Sequence, residues 1–296
     1  MYPSRFKYET PSTVEEAIGL LHDGGTDAKI LAGGQSLIPM MKLRFAAPGT
    51  IVDINNIPGL DYMRTESDGT FRVGALVRHV DLERATELKD SQPTIAAAAH
   101  LVADPIVRTR GTFVGSLCHA DPQGDWASCM VALDGSVVAQ GPKGRRTIGV
   151  DEFVKGPFTT VLAPDELAVE ALVPKAQGVR SGGYLKLERR IGDFATAGVA
   201  VAIERNGDVV SRAGIGLTGV GSRTINAEEA AAAVVGQPLT AETIERAGYL
   251  AAAISDPRSD HRGSADYKRH IVATFVTRLL TSMQPTREQS TEERVA

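Results

Sequence analysis

One run constrains the fold of this chain more than any other. Ala28-Lys29-Ile30-Leu31-Ala32, an apolar stretch of strand type, passes without a linker into Gly33-Gly34-Gln35-Ser36, and a helical pattern follows from Leu37 to about Arg44. Thr50 to Ile54 then repeats the buried-strand pattern. Two strands joined through a glycine turn and a helix predict a parallel pair, because a hairpin turn can only reverse the chain. A helix precedes this unit: Thr13 and Glu16 have capping-box spacing, Val14, Ala17, Ile18 and Leu21 share one helical face, and Gly24-Gly25 ends it.

Downstream the texture changes. Phe71 to Ala75 reads as a strand, His79 to Thr86 and Ile95 to Leu101 as helices, and a second glycine-bearing turn runs through Gly111-Thr112-Phe113-Val114-Gly115-Ser116. Trp126 to Leu133 has helical character, residues 136–140 and 145–150 flank a hairpin turn at Gly141-Pro142-Lys143-Gly144, and residues 165–173 offer a further strand. The polar segment Lys175 to Gly183 reads as a connection and a domain boundary. Beyond it lie strands at 184–188, 197–204 and 209–217, with an Asn206-Gly207-Asp208 turn between the last two, and helices near 226–235, 240–254 and 263–282. The closing residues, 285–296, are polar and aperiodic and are expected to be a disordered tail.

A formal net charge of −4 leaves no electrostatic footprint for nucleic acid or anionic lipid. No apolar run approaches the ~20 residues of a membrane helix, and the first residues lack a basic-then-apolar leader. Two cysteines, Cys118 and Cys129, make no disulfide framework, and Cys118 with His119, Asp121 and Asp125 matches no standard zinc spacing. The expectation is a cytoplasmic protein without a metal site and without nucleic-acid or membrane partners.

The two glycine turns carry the chemistry. Glycine lets a backbone approach a ligand closely with bare N–H groups, which is what a pyrophosphate needs. Each turn ends in a serine, Ser36 or Ser116, able to add a hydroxyl. Neither matches the dinucleotide fingerprint G-x-G-x-x-G or the Walker pattern, which disfavours a Rossmann or P-loop site. Taken alone, each glycine pattern is more simply a tight strand-to-helix turn.

AKILAGGQSLIPMMKLR, followed by VDI at Val52 to Ile54, resembles the FAD-binding medium subunits of molybdenum hydroxylases, a group that includes carbon monoxide dehydrogenase and the bacterial N-heterocycle and nicotine hydroxylases. The resemblance returns in DPIVRTRGTFVGSLCHADPQGDW and in YLKLERRIGDFATAGVAV and spans nearly the whole chain. It implies an α+β fold: a two-lobed, non-Rossmann FAD domain of the vanillyl-alcohol-oxidase-like (PCMH) type over 1–177, with lobes of about 1–55 and 56–177. A C-terminal domain of antiparallel sheet and helical bundle would follow over 178–284.

The same resemblance implies site roles. Ala32, Gly33, Gly34, Gln35 and Ser36 would form one pyrophosphate loop, and Thr112, Phe113, Val114, Gly115 and Ser116 the other. The family's usual second loop is T-I-G-G-S; here Phe113-Val114 replaces Ile-Gly, and valine resists a glycine-only conformation. Asp125 would serve polar groups of the adenosine or ribityl side, Lys186 the pyrimidine edge of the flavin, and Phe194 an isoalloxazine face, with Lys29 a weaker candidate entering the first loop. No catalytic acid or base is required of this chain.

The implied assembly is an (LMS)2 heterohexamer, in which a large subunit carries the molybdenum cofactor and a small one carries two [2Fe–2S] clusters. Gln35 stands where carbon monoxide dehydrogenases of the family tend to carry His, which favours an N-heterocyclic, nicotine-like substrate for the complex, with carbon monoxide as the alternative. A self-sufficient FAD oxidase and a non-catalytic flavin scaffold are the remaining readings.

Overall fold

The computed structural model describes residues 2–285; most of the expected tail lies outside them. The chain forms two compact units that share it in alternation. Residues 2–81, Asp104–Ala120 and Gly135–Pro174 make the first; Leu82–Ala103, Asp121–Asp134 and residues 175–285 make the second. Among the described residues no helix is long and apolar enough to cross a membrane.

In the first unit, β1 (Lys7–Glu9), β2 (Ala28–Leu31) and β3 (Thr50–Asp53) form a parallel sheet in the order β1-β3-β2. The crossover read from the sequence is therefore present, with its short helix at Leu37–Lys42. The Val14–Gly24 helix begins as its spacing predicts: Thr13 Oγ1 accepts the Glu16 N–H at 3.1 Å. The Glu16 carboxylate, however, accepts from Ser12 N–H at 2.7 Å rather than from Thr13. A second, antiparallel sheet contains β4 (Met63–Thr65), β5 (Phe71–Gly74), β6 (Ser136–Gly141), β7 (Gly144–Gly149) and β10 (Leu167–Val173), in the order β4-β5-β10-β6-β7. A short hairpin of β8 (Val154–Gly156) and β9 (Thr159–Thr160) stands beside it. Ala17, Ile18 and Leu21 of the first helix, Val52 of β3, and Val138, Leu167 and Val169 of the second sheet share one buried cluster.

The second unit is built on an antiparallel sheet of β11 (Val179–Leu187), β12 (Ala197–Asn206), β13 (Val209–Thr218) and β14 (Ile225–Asn226). Alternate residues point to opposite faces, and the two faces are chemically different. Val199, Val201, Ile203, Ile215 and Leu217 pack with Val272, Val276, Leu279 and Leu280 of the Ala265–Ser282 helix and with Ile244, Ala247 and Ala251 of the Ala241–Ile254 helix. The opposite face is lined by glycine. A Cβ on Gly216 would fall 2.1 Å from Ser128 O, one on Gly214 2.1 Å from Ala132 O, and one on Gly182 2.0 Å from Thr94 Oγ1. The helices Pro93–Ala99 and Asp125–Ala132 thus lie almost on the sheet backbone, where any side chain on those strand positions would hold them off.

This corrects the sequence reading of Lys175 to Gly183 as a polar connection. Residues 179–183 belong to β11 and pair with β12. Gly182 and Gly183 look like loop residues in the sequence, but they are strand residues kept small by Thr94 on one side and by Leu279 on the other, 2.7 Å from a Gly183 Cβ.

Gly216→Val should destabilise the second unit by about 2–3 kcal/mol through overpacking against backbone that cannot yield. The sole tryptophan, Trp126, is fully buried in the apposed helix, so urea unfolding followed by its fluorescence reads this directly. A loss below about 0.5 kcal/mol, the range of an ordinary surface change, would contradict the close packing.

Candidate functional site

The first glycine turn leaves β2 and swings back at Gly34, whose φ of 74° suits glycine. Gly33 is fixed by a contact from outside the turn: its Cβ would lie 2.4 Å from Arg110 O and 2.7 Å from Gly111 Cα. The structure therefore brings the two turns singled out in the sequence into van der Waals contact within the first unit. Ile38 N–H is the first to turn back into the helix, reaching Gly34 O at 3.0 Å. Among the described residues, the N–H groups of Gly34, Gln35, Ser36 and Leu37 have no acceptor, and the Ser36 hydroxyl makes no capping bond. Lys29 is exposed on β2, paired with Ile51, and joins none of these groups.

A chain of hydrogen bonds ties the turns together. Tyr8 OH donates to Asp53 Oδ2 at 2.5 Å, and Asn55 Nδ2 donates to Asp53 Oδ1 at 2.5 Å and to Ala32 O at 2.8 Å. Arg78 then donates from Nη2 to Asn55 Oδ1 and from Nη1 to Arg110 O, both at 2.5 Å. Burial first, and then the charge of Arg110, pull the Arg78 guanidinium below its usual range. His79, buried beside it, donates its main-chain N–H to Gly111 O at 3.0 Å, and its ring sits 2.8 Å from where a Gly111 Cβ would be. Burial, with Arg108 and Arg78 adding to it, lowers the His79 imidazole to about 4, so it is neutral near pH 7. None of Asn55, Arg78 or His79 stands out in the sequence; the one signal is Asn55 immediately after a strand, where its N–H closes a turn on Asp53 Oδ1 at 2.9 Å.

The second turn is the start of the Phe113–His119 helix. Thr112 caps it, accepting Gly115 N–H on Oγ1 at 3.1 Å, while Ser116 N–H goes to Thr112 O at 3.0 Å and Phe113 N–H to Val77 O at 3.1 Å. Phe113 and Val114 are buried and point into the core. Val114 occupies ordinary helical backbone, so no glycine-only conformation is asked of it. Among the described residues, the Val114 N–H and the Ser116 hydroxyl at this turn have no acceptor.

Asp125, Lys186 and Phe194 belong to the second unit. Tyr184, which the sequence reading passed over, donates its hydroxyl to Asp125 Oδ1 at 2.6 Å. A Gly198 Cβ would fall 2.6 Å from that hydroxyl, another reason for glycine on this sheet face. Burial pushes the Asp125 carboxyl up, against the pull of Lys186 and Tyr184, and the Tyr184 phenol is likewise raised by burial and then by Asp125. The Lys186 ammonium is almost fully buried and occupied by the chain itself: Leu101 O at 2.6 Å, Asp193 O at 3.1 Å, Asp125 Oδ2 at 3.4 Å and Glu188 Oε2 at 3.3 Å. Phe194 lies on the loop after β11 with its ring half exposed.

Because His79 is held neutral when folded, the unfolded chain binds its proton first as pH falls. Its contribution is intact above the ordinary imidazole value of 6.5 and is lost progressively down to about 4. That interval corresponds to about 3 kcal/mol. Unfolding free energies measured from pH 7 to pH 4.5 should therefore fall more steeply for the wild type than for His79→Leu; equal slopes would rule out a neutral buried imidazole.

Comparison with known proteins fits this geometry. Residues 4–176 match the family model described as the FAD binding domain in molybdopterin dehydrogenase, and residues 183–283 match the CO dehydrogenase flavoprotein C-terminal domain. The chain is 42% identical to the carbon monoxide dehydrogenase medium chain of Hydrogenophaga pseudoflava over 283 residues, covering 95% of this chain and 98% of that one. It is 38% identical to the 6-hydroxypseudooxynicotine dehydrogenase complex subunit alpha of Paenarthrobacter nicotinovorans over 294 residues, covering 97% and 99%. A solved structure of carbon monoxide dehydrogenase from Hydrogenophaga pseudoflava superposes with a TM-score of 0.91 at 43% identity, over 95% of this chain and 98% of that one. The chain belongs to the molybdenum hydroxylase family, among its FAD-binding medium subunits.

Proposed function

We propose that this chain holds FAD and relays electrons, receiving them from an iron–sulfur partner and delivering them to an external acceptor. The observation that carries this reading is the row of open donors from Gly34 to Leu37 on a glycine turn, which is the donor set a diphosphate needs. The residues present fit the cofactor. Gly33, Gly34, Gln35 and Ser36 supply main-chain N–H groups and a hydroxyl, and Val114 N–H and Ser116 Oγ add donors from the adjoining turn. FAD, when bound, supplies a redox centre able to accept and release electrons, which no side chain here provides.

The remaining assignments follow from the same reading. Asp125 offers a carboxylate to the adenosine or ribityl hydroxyls, and Phe194 offers an exposed aromatic face to the isoalloxazine. Lys186 acts by holding this surround in place, with its charge near the pyrimidine edge. The partners are a large subunit with the molybdenum cofactor and a small subunit with two [2Fe–2S] clusters, in an (LMS)2 heterohexamer of the cytoplasm. Gln35 favours an N-heterocyclic, nicotine-like substrate for the complex. The high identity to a carbon monoxide dehydrogenase medium chain favours carbon monoxide as the second reading.

Purified and desalted, the full-length chain or its co-expressed complex should retain flavin bands with FAD and not with FMN. Gly33→Val should abolish that retention while the far-ultraviolet circular dichroism stays native-like. A complex that retains no FAD would end the reading. Anaerobic bleaching of those bands by nicotine or a related heterocycle, and not by carbon monoxide, would support the substrate assignment; the reverse would reassign it.

A further inference from the structure

We infer that Arg262 is a positioning residue for the flavin-facing loop, setting the backbone from which Phe194 presents its ring. The inference rests on the proposed flavin-facing role of Phe194. Arg262 lies between the two long C-terminal helices, in a segment to which the sequence reading gave no role. Its side chain is only 13% exposed. From there Nη1 donates to Phe194 O at 2.8 Å and Nη2 to Asp193 Oδ1 at 3.0 Å.

The Asp193 carboxylate in turn accepts the Phe194 N–H at 2.7 Å. Both main-chain polar groups of Phe194 are thereby held, one directly by Arg262 and the other through Asp193, while the residue remains 50% exposed. A rigid backbone carrying an uncovered aromatic ring is the arrangement expected where a flat ligand completes the packing. The neighbouring Ile191 is 95% exposed.

Arg262 is itself fixed. Its N–H donates to Asp260 Oδ1 at 2.8 Å, and Asp260 Oδ2 accepts from the buried Lys268 at 2.8 Å, which also donates to Arg258 O at 2.8 Å. On the far side, Lys186 holds Asp193 O. The loop is thus gripped from the sheet by Lys186 and from the segment between the C-terminal helices by Arg262. The Arg262 fork presents two coplanar donors to its two acceptors, a preorganised geometry that a rotatable lysine ammonium lacks.

The test uses the full-length chain, or its complex with partner subunits where the isolated chain does not retain flavin. Three substitutions, Phe194→Ala, Arg262→Gln and Arg262→Lys, are compared by FAD titration, by the visible circular dichroism of bound flavin, and by the melting midpoint without FAD. Phe194→Ala and Arg262→Gln should each change the flavin spectrum and weaken FAD binding by about tenfold, the scale of one charge-assisted hydrogen bond. Arg262→Lys should recover part of both, and the midpoint of the FAD-free protein should be little changed.

A native flavin spectrum in Arg262→Gln, with an altered one in Phe194→Ala, would overturn the inference and leave the Phe194 reading standing. A native spectrum and affinity in Phe194→Ala would remove the Phe194 reading, and the inference with it. If Arg262→Gln fails to fold, Asp193→Ala removes the Oδ1 that accepts from both Arg262 and the Phe194 N–H; it must reproduce the spectral change, and a native spectrum there overturns the inference.

Discussion

The second unit depends on one buried ammonium. Lys186 reaches Leu101 O, the Asp125 carboxylate and Asp193 O, groups carried by three stretches of chain far apart in sequence. Removing an ammonium from water is costly, and the cost is met only because its donors all find acceptors and two carboxylates, Asp125 and Glu188, lie close by. The same contacts that stabilise the charge also fix the end of one helix-bearing stretch, the start of another, and the loop that carries Phe194. The position of the Phe194 loop and the stability of the fold are in this way decided by the same atoms.

Glycine performs a parallel task in both units: it removes the side chain that would separate two backbones. In the first unit Gly33 lets one turn touch another, so that two donor-bearing segments meet without intervening bulk. In the second, Gly182, Gly198, Gly214 and Gly216 strip one sheet face so that two helices settle on it. The apolar face behind them, rich in Val and Ile, is an ordinary helix-on-sheet core. The asymmetry explains how a four-stranded sheet supports helices on both sides: one layer is held by side-chain packing, the other by nearness of backbone.

What the sequence made legible was local. Ala28 to Asp53 could be read because strand, glycine turn and helix follow one another, and the Val14–Gly24 helix because its cap and apolar stripe are contiguous. β1 and β4 went unread: three residues each, with no alternation to mark them, they are strands only because β3 and β5 offer edges to pair with. Gly182-Gly183 misled for the same reason in reverse, since their smallness answers to Thr94 and Leu279, which no local pattern names. Of the candidate site, the glycine turns were visible in the residues themselves, and Asp125, Lys186 and Phe194 through the family resemblance. Asn55, Arg78, Tyr184 and Arg262 were not, because each acts across a long sequence separation on a group that only folding brings near.

The alternation of the chain between its two units bears on the order in which synthesis allows them to form. The strand at the centre of the first unit's antiparallel sheet, Leu167–Val173, is the last of that sheet to leave the ribosome, and β5 and β6 cannot pair through it earlier. The Pro93–Ala99 and Asp125–Ala132 helices likewise emerge before any strand of the sheet they rest on. Most of the polypeptide must therefore be translated before either half can close, so the nascent chain spends a long interval with apolar helices uncovered. For such a protein, chaperone attendance and timely arrival of the last strands matter more than early folding of an N-terminal module.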